Sequence, residues 1–118
     1  MRKLKLFVVV FFVFLGLLAC AGSDQKGIVI ADSKTYSASL FRQNCAICHG
    51  AEADGKTLDD GKIVPSLRGG VEHKFNSPDE IYRQISAGGN GMLPFGKQLS
   101  DRELRLMTEF VYKDLRGN

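Results

Sequence analysis

Apolar and polar residues follow three different rhythms along this chain of 118 residues. From Leu6 to Ala19 fourteen residues run without a charge, behind the basic Arg2, Lys3 and Lys5. That run is too short to cross a bilayer comfortably and has the length of a secretory h-region. Residues 20–36 mix Gly, Ser, Asp, Lys and Gln around Ile28-Val29-Ile30 and read as a tether with a brief extended piece. From Ser37 onward the apolar positions recur with a helical period.

The first helix carries Leu40 and Phe41, with Phe41 one turn before Cys45 on the same face. A second opens at Ser77-Pro78-Asp79-Glu80, with a serine cap, proline at the first helical position and glutamate three after the cap. Ile81, Tyr82 and Ile85 form its apolar stripe, and Gly88-Gly89 ends it after Ala87. The third begins in the same way at Ser100-Asp101-Arg102-Glu103. It presents Leu104, Met107, Phe110, Val111 and Leu115 as its buried face, and Arg116-Gly117 closes it. No window alternates as a strand, so the expected class is all-α with long loops. A domain of about eighty residues buries a modest fraction of its surface. Several of the eleven aromatics lie in the N-terminal run.

The full chain has 16 Lys and Arg against 13 Asp and Glu. Three of the basic residues lie before Leu6 and every acid lies after Ala19, so a processed chain is formally neutral. The basic balance therefore gives no reason to expect a nucleic-acid partner. The run ends Leu17-Leu18-Ala19-Cys20, and a small residue before cysteine resembles a bacterial lipobox, with Cys20 as the lipidated first mature residue. An ordinary signal peptide or an uncleaved anchor are the alternatives.

Chemistry concentrates at Cys45-Ala46-Ile47-Cys48-His49, the C-x-x-C-H pattern of covalent haem attachment. On one helical turn, cysteines at i and i+3 can reach the two vinyl groups on one edge of a porphyrin. The next residue then lies under the ring, where an imidazole can bind iron. A redox dithiol would want a thioredoxin-like βαβ context. A zinc site would want two further ligands, and only Cys20 and His73 remain. Haem is the better reading, and the cofactor would supply the centre that a thin core lacks.

Three residues can offer a sixth ligand. Met107 has the spacing of a core position, and His73 lies in the polar run Glu72-His73-Lys74. Met92 sits in Gly88-Gly89-Asn90-Gly91-Met92-Leu93-Pro94-Phe95, where a glycine-rimmed thioether has no packing role and suits iron as a soft donor.

From Ser37 to the C-terminus the chain resembles the class I bacterial cytochromes c. Phe41, Cys45, Cys48, His49, Gly50, Pro65-Ser66-Leu67, Met92, Pro94 and Phe110 follow that family's order. The resemblance implies a small cytochrome c fold, about three main helices around one covalently attached haem c. It implies that the Pro65 carbonyl accepts from His49 within a Pro-x-Leu motif completed by Leu67, that Met92 is the axial methionine, and that Phe110 packs on the first helix. Three departures stand out. Ser37 occupies the usual small glycine, Leu93 separates Met92 from Pro94, and no tryptophan is present to meet a propionate. Arg68 is the candidate substitute for that contact.

These readings predict signal residues 1–19, a lipidated tether 20–36 and a cytochrome c domain 37–118. The domain is expected to carry electrons rather than act as an enzyme. It would lie at the outer membrane face or in the periplasm, between a quinol-oxidising complex or dehydrogenase and an oxidase or reductase. A permanent subunit of a larger oxidoreductase, or a haem enzyme or gas sensor with a labile sixth ligand, are the rival readings.

Overall fold

A computed structural model describes residues 27–118. The apolar run, Cys20 and the first part of the expected tether lie outside the described residues. Helix α1 spans Tyr36–Asn44 and is capped by Thr35, whose hydroxyl accepts from the Ala38 N–H. The chain breaks at Cys45 and resumes as a single turn, α2, Ala46–His49. Helix α3 covers Pro78–Ala87 and α4 covers Asp101–Glu109. Both begin with complete capping boxes, Ser77 with Glu80 and Ser100 with Glu103, because each serine and glutamate satisfies the other residue's free backbone N–H.

Beyond α4 the helix widens into a π-helical segment, Phe110–Leu115. Nothing in the apolar spacing announces this, since Phe110, Val111 and Leu115 stay on the buried side. The wider turn delivers the Leu115 carbonyl to the Gly69 N–H at 2.9 Å, tying the chain end to the loop after Pro65.

The core lies where α1 meets α4. Phe41 and Phe110 are fully buried with ring centroids 6.0 Å apart and planes tilted by 53°. Ile81 and Ile85 seal α3 onto the same cluster together with Leu104 and Met107. Two hydroxyls fasten the helices at their edges. Tyr36 donates to Glu103 at 2.5 Å, and Tyr82 donates to Asp101 at 2.7 Å.

Two expectations need correction. A short antiparallel hairpin is present, β1 Lys56–Thr57 with β2 Ile63–Val64, two residues a side and too short to leave an alternating pattern. The second concerns the tether, because the chain is already docked by Ile28. Ile30 is fully buried in the main core. The Glu52 carboxylate accepts from the backbone N–H groups of Ile30 and Ala31, both at 2.8 Å. Arg68 donates to the Ile28 carbonyl and Arg42 to that of Ser33. The Ile30 amide in particular holds the Glu52 carboxyl below the ordinary carboxylate pKa. Among the described residues no helix is long and apolar enough to cross a membrane.

Candidate functional site

The C-x-x-C-H motif occupies the junction of α1 and α2. Cys45 closes α1 by donating its N–H to the Phe41 carbonyl, and its own carbonyl accepts from Cys48 and His49 as α2 winds up. Both thiols are free, Cys45 half-buried and Cys48 exposed. Burial and, to a smaller extent, the neighbouring Cys48 push the Cys45 thiol up to about 12. Among the described residues no three His, Cys, Asp or Glu side chains converge on a metal position.

His49 is half-buried. Its Nδ1 is buried and closes no hydrogen bond. Burial lowers the imidazole pKa, and the Pro65 carbonyl acts in the opposite sense, so that carbonyl lies close enough to influence the ring without closing a bond. Lowering the pKa favours the neutral imidazole, the form that binds iron. Gly55 permits this approach. It has φ +88°, and a Cβ there would meet the Val64 carbonyl at 2.6 Å and the Ser66 nitrogen at 2.8 Å. Only glycine lets the strand before Pro65 lie against the loop after His49. Leu67 donates its N–H to the Ala53 carbonyl at 2.8 Å and packs on the core from the same segment.

Arg68, the candidate for a propionate contact, has its guanidinium engaged by three protein acceptors. Nε donates to the Glu52 carbonyl, one terminal nitrogen to the Ile28 carbonyl and the other to the Glu52 carboxylate at 2.9 Å. Its planar fork fits these three acceptors, which are all parts of the clamp on residues 28–31. His73 contacts the Arg68 carbonyl through Nε2 at 2.9 Å.

Met107 is 1% exposed within the core, whereas Met92 is half-buried in the loop after α3. Gly88 makes the fold-back possible. At φ +71°, a Cβ would meet the Met92 carbonyl and the Pro94 nitrogen, both at 2.7 Å. Gly89 and Met92 then exchange two backbone hydrogen bonds, at 2.9 and 3.0 Å. Three large apolar side chains stay in solvent on the segments that carry these residues. Ile47 within the motif is 74% exposed, Ile63 on β2 76% and Leu93 beside Met92 71%. Two unpaired thiols one turn apart, a partnerless imidazole nitrogen, a loop thioether and uncovered apolar surface together fit a haem.

The profile described as cytochrome c oxidase, cbb3-type, subunit III matches residues 34–111. The chain belongs to the cytochrome c family. Cytochrome c-550 of Bacillus subtilis is 32% identical over 93 residues, 79% of this chain and 69% of that protein. The cbb3-type cytochrome c oxidase subunit FixPc of Rhizobium leguminosarum bv. viciae is 35% identical over 74 residues, 62% of this chain and 25% of the relative. A thiosulfate dehydrogenase of Psychrobacter arcticus is 38% identical over 69 residues, 54% of this chain and 20% of the relative. The chain thus spans only a fifth to a quarter of those two longer proteins. No solved structure matches it significantly. Cytochromes c transfer electrons through covalently attached haem c, and this cytochrome c, with its single C-x-x-C-H, binds one.

Sequence reading missed two contributors to the site. Glu52 carries no local motif, and its partners lie 21 and 22 residues away. Gln84 sits on the polar side of α3 and donates to the Met92 sulfur at 3.7 Å. Its i+8 spacing to a loop residue was the only available hint.

Proposed function

We propose that Cys45 and Cys48 would hold the haem as thioethers, that His49 and Met92 would ligate its iron, and that the domain is a membrane-tethered one-electron carrier. The haem, when bound, supplies ferrous–ferric cycling. The chain's residues hold it and close the iron to other ligands. Pro65 would fix which imidazole nitrogen carries the proton by accepting from the His49 ring nitrogen that does not bind iron. With imidazole and thioether both bound, no position remains for oxygen or substrate, which favours carrier over enzyme.

The observation that carries this reading is the contrast between the two methionines. Met107 is committed to the core, while Met92, half-buried against the edge of that core, is turned back by Gly88 with its sulfur accepting from a glutamine amide. Export, lipidation at Cys20 and location at the outer membrane face or in the periplasm belong to the same proposal, as do quinol-oxidising or dehydrogenase donors and oxidase or reductase acceptors. Redox encounters of this kind are small and brief. A permanent place inside an oxidase-type complex is the second reading, favoured by the match to a cbb3-type subunit. Co-purification of the tethered protein with a larger complex after mild solubilisation separates the two.

Met92→Ala tests the ligand set. The polypeptide should keep its haem through a denaturing gel, because the thioethers and His49 remain. The ferric band at the red end of the visible spectrum should vanish, the ferrous form should bind carbon monoxide, and the potential should fall. An unaltered spectrum would remove Met92 from the iron.

A further inference from the structure

Met92 is held by more than its own loop. The Gln84 side chain donates through Nε2 to the Gly89 carbonyl at 2.8 Å and to the Met92 sulfur at 3.7 Å. Its Oε1 accepts from Asn90 Nδ2 at 3.3 Å, and Asn90 Oδ1 accepts from Lys74 Nζ at 2.9 Å. Each amide orientation is fixed by a partner that can act in only one sense. A carbonyl can only accept, so Nε2 of Gln84 faces Gly89; an ammonium can only donate, so Oδ1 of Asn90 faces Lys74. Gln84 itself stands on a helix fixed at its start by the Ser77–Glu80 box and seated through Ile81 and Ile85, on either side of it.

We infer that Gln84 is a positioning residue for Met92, oriented by Asn90, and that it tunes the iron through the thioether sulfur. The inference rests on Met92 being the axial ligand. A thioether sulfur has two lone pairs, so it can bind iron with one while accepting an N–H with the other. The donated hydrogen draws electron density from the sulfur and weakens its donation to ferric iron more than to ferrous iron, which raises the potential. Hydrogen bonding to a metal ligand is one of the levers by which a protein sets a haem potential. Because the same amide grips the Gly89 carbonyl, which also accepts from the Met92 N–H, Gln84 fixes both the sulfur and the backbone beneath it. Asn90 has φ +53°, a conformation that glycine adopts freely, so its side chain can be removed without backbone strain and without changing charge.

The test uses the full-length haem protein carrying Gln84→Leu, Asn90→Gly, both together, and Met92→Ala. Potentials, the pH at which the red ferric band disappears, and carbon monoxide affinity of the ferrous form are measured. Helical circular dichroism on each variant verifies folding. Gln84→Leu should lower the potential, by about 59 mV for each tenfold loss in ferrous over ferric preference. The red band should disappear at lower pH, and carbon monoxide affinity should rise several-fold. Asn90→Gly should move all three readings in the same direction by less. The double variant should match Gln84→Leu alone. Should Gln84→Leu leave potential and band unchanged while Met92→Ala abolishes the band, the positioning role falls and the ligand assignment stands. If Met92→Ala keeps the band, both fall together. Additive shifts in the double variant would overturn the link through Asn90.

Discussion

Phe110→Ala is the sharpest probe of how the fold is held. Phe110 is 1% exposed and meets Phe41, itself fully buried, at a centroid distance of 6.0 Å. Truncating a buried phenylalanine costs about 3–5 kcal/mol, because the lost transfer energy is joined by a cavity that rigid neighbours fill only in part. The tilted ring pair adds about 0.5–1.5 kcal/mol of its own. A native domain has about 5–15 kcal/mol in hand, so this change removes a large fraction. Guanidinium unfolding of the haem protein, followed by helical circular dichroism, measures it. With a loss of about 4 kcal/mol and an m-value of about 3 kcal/mol per molar, the midpoint falls by about 1.3 M. The visible spectrum in the absence of denaturant should stay unchanged, since Phe110 belongs to the helix crossing. Adding Phe41→Ala should cost less than the sum of the single variants, because the second truncation opens onto a cavity already present. A loss below about 1 kcal/mol, or strict additivity, would refute the claim that this pair anchors α1 to the π-helical segment after α4.

Acid should loosen the same crossing at its edge. Tyr36, then the Ser100 hydroxyl and amide, pull the Glu103 carboxyl down to about 2 from its ordinary 4.5. A depressed carboxylate contributes stability above its unfolded pKa and loses it as pH falls through the folded one. Stability should therefore drop between pH 4.5 and 2, and Glu103→Gln should flatten that part of the wild-type profile in denaturant titrations; an unchanged profile would disprove the role. Cys20→Ser is expected to release the haem domain into the soluble fraction with its spectrum intact, because residues 20–26 carry none of the proposed ligands. Continued sedimentation with membranes would point to an uncleaved anchor. One acyl chain binds only marginally, so the anchored form should carry at least two, as mass spectrometry of the native lipopeptide would reveal.

Local chemistry made much of this cytochrome c readable from its sequence. The capping boxes at Ser77 and Ser100, the stop at Gly88 and the buried stripe through Leu104, Met107 and Phe110 depend on neighbours three to eleven residues apart. The structure has those elements where the spacing put them. The C-x-x-C-H motif is likewise written within five residues. What spacing could not express came from distant partners. Ile28 to Ala31 are fixed by Arg68 and Glu52, across 40 residues in the first case and 21–22 in the second, so a segment that reads as tether is part of the domain. The two-residue strands, the widened helix end and the hold of Gln84 on Met92 also arise only once the chain has folded back on itself. Helix ends and apolar stripes are settled by interactions within a few turns. Which carboxylate, guanidinium or amide finds which backbone group is settled by packing, and a linear pattern carries no record of it.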